Sequence, residues 1–196
     1  MSLWGATDSD ESKPKNLTTA EKKQVFANSS GWVLEAGSSL SGNDNTSATP
    51  EVLVAIGGLA TSIGAADVTE VEWITTAADK SAGFTLSVRV RYNEAVTVTG
   101  SPTIAVTNGN EGTGTGRGPH TLVYASGTGT NELIFNLAIA AANAATNADD
   151  VLSIGAQNIL KPGGATMKDT AGTNSDSAVA ISGAQGTAAG TLTVVA

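Results

Sequence analysis

A single imidazole, a scatter of aspartates and a run of alternating glycines are the residues here whose types could do chemistry. His120 follows Gly118 and Pro119 at the start of an expected strand. The chain holds no second histidine and no cysteine to share a metal with it, and no carboxylate motif beside it to make it a base. It reads as an ordinary exposed or edge residue. Asp149, Asp150, Asp169 and Asp176 would suit calcium if the fold gathered them at one end, since calcium takes about six or more oxygen ligands. Asp is also a favoured turn and cap residue, and that reading is preferred. Gly112, Gly114, Gly116 and Gly118 fit neither the dinucleotide nor the nucleotide-phosphate loop spacing, and no helix pattern follows them. They read as a hairpin loop. No serine lies in a nucleophile elbow. The sequence therefore predicts no catalytic residue, no cofactor site and no metal ligand set, and the chain is read as non-enzymatic.

Composition narrows the partners. A net charge of −8 and a pI near 4.5 repel phosphate backbones, which disfavours nucleic acid. No apolar run approaches the ~18 residues a membrane span needs. Cysteine is absent, so disulfides and thiolate metal sites are excluded. The N-terminus lacks a basic segment followed by an apolar stretch, and the expected place of assembly is a reducing cytoplasm. Hydrophobic residues make up 40% of the chain but aromatics only 4%, which suits many short strands joined by glycine-rich turns.

The elements fall into two zones, 1–67 and 68–196. In the first, Thr18 to Glu21 has capping-box spacing, and a short helix is expected to run to about Ala27. GWVLEAG (31–37) is a strand candidate and SSLSGNDNTSATP (38–50) a loop. This zone has too few large apolar residues to fold alone. At its end, within residues 51–67, Val52, Leu53, Val54 and Ile56 make a continuous apolar run that Gly57-Gly58 breaks, expected to be a strand buried on both faces, within the chain or against a neighbour. In the second zone the period of two is clear. Phe84, Leu86, Val88, Val90 and Tyr92 face one way; Thr85, Ser87, Arg89 and Arg91 face the other, where the two arginines should meet cross-strand Glu or Thr. Leu133, Phe135, Leu137 and Ile139 repeat the pattern. Turn signals at Asn108-Gly109, Ser126-Gly127 and Pro162-Gly163-Gly164 separate the short strands, and the expected fold is all-β, an antiparallel sandwich.

The second zone also resembles a known family. YNEAVTVTGSPTIAVTNG, LVYASGTGTNELIFNLAI, DDVLSIG and MKDTAGTNSDSAV, in that order, are similar to one repeat of the bacterial Ig-like domains of large secreted adhesins. The resemblance implies an Ig-like β-sandwich over 68–196. It departs from the family in the longer EGTGTGRGPH connection, in Leu137 where an aromatic is usual, and in Thr173 within the closing motif, so adhesion does not follow from it. LWGATDSDESKPKNLT, EKKQVFANSSGWVLE and EVLVAIGGLATSIG resemble the starts of small virion structural proteins of tailed phages of marine cyanobacteria. That likeness implies a particle protein assembled in the host cytoplasm, with the major capsid protein or other virion subunits as partners and many copies on a symmetric lattice.

On this reading residues 1–67 are an extended arm carrying one short helix, with Leu3, Trp4, Phe26, Trp32 and Val33 as partner-binding anchors, since buried tryptophans dominate interface energetics. The competing reading folds Trp4 and Trp32 back onto the sandwich. A capsid decoration or cement protein is favoured, with a neck or tail subunit close behind. A surface- or carbohydrate-binding module, recognising host-surface glycans, is the alternative from another class. Trp73, Tyr92 and Tyr124 would have to serve it, and the alternation already turns Tyr92 inward.

Overall fold

In the computed structural model the described residues are 14, 16–28, 30–55, 65–109, 118–141, 146–170 and 176–195. Leu3, Trp4 and the alternating glycines up to Gly116 lie outside them. The chain is mostly β.

Thr18 opens helix α1 (Thr19–Lys22) with a complete capping box: its Oγ1 accepts from the Glu21 amide at 3.3 Å, and Glu21 Oε2 accepts from the Thr18 amide at 2.7 Å. The helix then stops, earlier than its pattern suggested. Val25 and Phe26 go instead into β1 (Val25–Asn28), which pairs antiparallel with β2 (Gly31–Leu34). A four-residue helix has little cooperativity to hold, whereas Val and Phe gain from a pleated, packed surface. β3 (Glu51–Ala55) completes a three-stranded sheet in the order β1-β2-β3. Residues 16–55 are thus a small sheet and its loops, not an extended arm. Val25, Trp32 and Leu34, with Leu17 beside them, form a hydrophobic cluster of their own.

β3 corrects a second expectation. Val52, Leu53 and Val54 are 45, 39 and 43% exposed, not buried on both faces. The strand lies at the sheet edge, and its register on β2 jumps: Trp32 faces Val54 while Val33 faces Val52, leaving Leu53 as a bulge. An apolar run signals that burial is favourable but not that the same chain supplies the cover.

The body contains β4 (Val68–Trp73), β5 (Ala78–Asp79), β6 (Phe84–Thr99), β7 (Thr103–Asn108), β8 (His120–Ser126), β9 (Thr130–Ile139), β10 (Val151–Ser153), β11 (Gln157–Asn158), β12 (Thr166–Asp169), β13 (Ala180–Ile181), helix α2 (Gly183–Ala189) and β14 (Thr191–Val195). Nine of these strands make one large curled sheet, in the order β12-β6-β9-β8-β7-β10-β14-β5, with β4 also on β6. Its pairs are antiparallel except β14 with β5, so the sheet is mixed. β11 and β13 pair separately.

β6 organises the curl. Its first half pairs with β9 on one side and β4 on the other; the register then shifts between Arg91 and Val96, and its last residues pair with β12. A bulge of this kind bends a strand and lets one strand serve two parts of a sheet. The inward face follows the alternation read from sequence: Leu86, Val88, Val90 and Tyr92 are buried against Leu133, Phe135, Ile139, Ile104, Leu122 and Met167. The Tyr92 hydroxyl donates to the Ala178 carbonyl at 3.0 Å, and burial pushes its pKa well above the ordinary value. In the β8–β9 turn, Gly127 has φ 109°, and a Cβ there would overlap the Glu132 carbonyl oxygen. The glycine is therefore required by both backbone and space.

Phe135 lies at the centre of this core and meets Tyr124 edge-on at 6.0 Å. Phe135→Ala is expected to cost about 3–5 kcal/mol, read as a lower denaturation midpoint at unchanged slope.

Candidate functional site

The outward face of β6 carries the two arginines, which meet cross-strand glutamates as the alternation implied. Its upper part is also covered. Arg91 is fully buried, and Arg89 beside it is largely so. Antiparallel register explains how two cations come to rest there. Glu70 and Glu72 of β4 stand opposite Arg91 and Arg89, and Glu132 of β9 stands opposite Arg91 on the other side. Alternation in VTEVEW and SVRVRY places all of these side chains on one face.

The contacts are close. Arg91 Nη1 is 2.7 Å from Glu70 Oε2, its Nε is 3.0 Å from Glu132 Oε1, and its Nη2 is 3.1 Å from Glu72 Oε1. Arg89 Nη1 reaches Glu72 Oε1 at 2.9 Å, and its Nε lies 3.7 Å from Glu132 Oε2. Above them Glu35, just past the end of β2, contacts Arg89 Nη1 closely and lies 2.9 Å from Arg91 Nη2. The Phe26 ring of β1 covers Arg91, its centroid 4.9 Å from the guanidinium carbon, a cation–π contact.

Desolvating a guanidinium is costly unless anions meet it. Here four carboxylates surround two guanidiniums, an excess of two negative charges. Burial works against the Arg91 charge, but Glu72, Glu70, Glu132 and Glu35 outweigh it and hold the group protonated. Glu72 is the carboxylate whose titration is pushed upward. Its carboxyl lies above the ordinary value because of burial first, opposed by Arg91 and Arg89 and reinforced by Glu35 and Glu132. Neither arginine is left over for an anionic ligand. A cavity of about 320 Å³ adjoins the cluster, lined among others by Phe26, Glu35, Thr46, Arg89, Asn131 and Glu132. It holds no nucleophile paired with a base.

The anchors read from sequence divide. Leu3 and Trp4 are outside the described residues. Phe26, Trp32 and Val33 are 5, 2 and 1% exposed, so their apolar surface is already used within the chain. The aromatics available for a sugar platform are also engaged. Trp73 Nε1 donates to the Gly190 carbonyl at 3.2 Å, Tyr92 is buried, and Tyr124 meets Phe135 edge-on while its hydroxyl accepts from the Thr128 amide at 2.8 Å.

His120 is buried rather than exposed, its Nε2 3.2 Å from Thr146 Oγ1. Asp150 accepts from Asn108 Nδ2 at 2.7 Å and from the Asn147 amide at 2.8 Å, while Asp176 pairs with Lys168 at 2.7 Å. Among the described residues no group of three or more His, Cys, Asp or Glu is arranged to hold a metal, and no helix is long and apolar enough to cross a membrane. Glu35 had no local sequence signal. Glu70 and Glu72 had one, because their spacing of two mirrors that of Arg89 and Arg91.

The chain matches no protein-family model, no curated protein and no solved structure.

Two substitutions test the charge balance. Arg91→Ala leaves the carboxylates facing one another and is expected to cost about 3–5 kcal/mol. Glu72→Gln keeps an acceptor beside both guanidiniums and leaves three carboxylates around them, and should cost less. Because the folded Glu72 pKa is raised, its ionised form weakens the fold; stability from this group is lost as pH rises through the folded pKa and fully regained below the ordinary value of 4.5. Urea midpoints of wild type should therefore gain on Glu72→Gln as pH falls from 7 towards 4.5. Parallel midpoints across that range would remove Glu72 from the balance.

Proposed function

We propose that this chain is a non-enzymatic structural protein of a phage particle, most simply a capsid decoration or cement protein, with a neck or tail subunit as the alternative. We read its body as a curled variant of the Ig-like sandwich, a reading supported by the antiparallel pairing of its longer strands and by β6 passing from one part of the sheet to another.

The observation that carries the proposal is β3. Its outer edge has no strand beside it among the described residues, and Val52, Leu53 and Val54 stand exposed. Edge strands are commonly guarded by charge, proline or a bulge. β3 has Pro50 and Glu51 at its entrance and the bulge at Leu53, but the sequence carries no charge from Val52 to Ala66. Such an edge suits strand addition, in which backbone hydrogen bonds supply affinity and alternate side chains supply selectivity. Leu3 and Trp4 are then a second contact, joined by the polar DSDESKPK segment. Weak contacts of this size become sufficient when repeated over a symmetric shell. The covered Arg89–Arg91 face and the engaged aromatics support assembly over chemistry or sugar recognition.

The test is copy number in purified particles, by quantitative mass spectrometry against the major shell protein. A ratio comparable with the shell subunit supports decoration, a few copies per particle support the neck or tail, and absence overturns the proposal. Val54→Lys places a charge on the exposed edge strand and should lower occupancy about tenfold, the effect of ~1.4 kcal/mol per contact, with the unfolding midpoint of the free protein nearly unchanged. Undiminished occupancy would remove β3 from the contact.

A further inference from the structure

Among the described residues the buried apolar side chains form two clusters rather than one. Val25, Trp32 and Leu34 cluster within the N-terminal sheet, while Leu86, Val88, Phe135 and their neighbours cluster inside the body. The two units meet through ion pairs and a small apolar patch: Glu35 on Arg89 and Arg91, and the Phe26 ring on Arg91 with Val33 buried on the same face of the small sheet. Unless the contact between units of a chain is large and hydrophobic, relative motion is the ordinary expectation.

The division of the ion pairs is asymmetric. Glu70, Glu72 and Glu132 belong to strands flanking β6, so they stay with Arg89 and Arg91 whatever the N-terminal sheet does. Glu35 alone among the four comes from that sheet's side. It is tied to its own unit: its amide donates to the Gln24 carbonyl at 2.8 Å, and Gln24 Oε1 accepts from Ser38 Oγ at 2.5 Å. Removing Glu35 still leaves three carboxylates for two guanidiniums and takes one like charge away from Glu72.

We propose that the N-terminal three-stranded sheet is a releasable cover, latched to the body by Glu35 on the Arg89–Arg91 pair, and that it detaches as a unit while the curled sheet stays folded. Release uncovers Phe26 and the arginine face together. The inference stands on the charged contact and does not depend on the particle reading. Local opening of this kind costs less than global unfolding and separates regions by their amide exchange.

The experiment is hydrogen exchange by mass spectrometry on the full chain, comparing wild type with Glu35→Lys and Glu35→Gln. Glu35→Lys sets a cation against two buried cations. It should accelerate exchange across Val25–Leu34 by about tenfold or more, leaving Leu86–Val90 and Leu133–Leu137 as protected as in wild type. Glu35→Gln, which keeps an acceptor but not the charge, should lie between. Equal acceleration in both regions would mean one cooperative unit, and no acceleration in either would mean that Glu35 is not the latch. Either result overturns the proposal. If Glu35→Lys does not fold, the Glu35→Gln comparison decides by the same two criteria.

Discussion

A guanidinium taken fully out of water has to be met by anions, and Arg91 sets that condition for this molecule. Three of its carboxylates come from the flanking strands and one from outside the sheet, with an aromatic ring closing the remaining side. The ladders of β4 and β9 on β6 set three carboxylates around this side chain, and the N-terminal sheet above them meets the same group. The shared ion pairs add to the ladders, because each shift in register would unpair a buried charge.

The same arrangement carries more negative charge than it can neutralise. Burial first, and Glu35 and Glu132 to a lesser degree, hold the Glu72 pKa above its ordinary value against Arg91 and Arg89. Stability and separability thus arise from one cluster. The body holds its own ion pairs, the cover brings one more, and the apolar cores on either side remain distinct.

Exposure is distributed unlike the usual expectation for aromatic anchors. Phe26 and Trp32 are consumed in building and docking the small sheet, whereas among the described residues nothing pairs with the outer edge of the aliphatic β3. An aliphatic edge strand offers backbone pairing to an extended partner and asks little of side-chain chemistry. That property fits assembly, where the same contact is repeated, better than recognition of a small polar ligand.

What the sequence by itself determined is what short-range periodicity can encode. Leu86 to Tyr92 and Leu133 to Ile139 alternate, so their inward faces and their antiparallel strands were legible, as was the Thr18 capping box, whose partners lie three residues apart. The mostly-β class followed from the same patterns. The rest required partners distant in the chain. That α1 ends at Lys22 depends on β2 capturing Val25 and Phe26; that Arg91 is buried depends on Glu35, 56 positions away in sequence, settling over it. VTEVEW and SVRVRY each announced charges two residues apart, but only the pairing register brought them together. β3 shows the limit from the other side: its residues state how apolar the strand is, and only the tertiary structure decided that nothing in the described chain covers it, because burial is a property of neighbours and not of the strand.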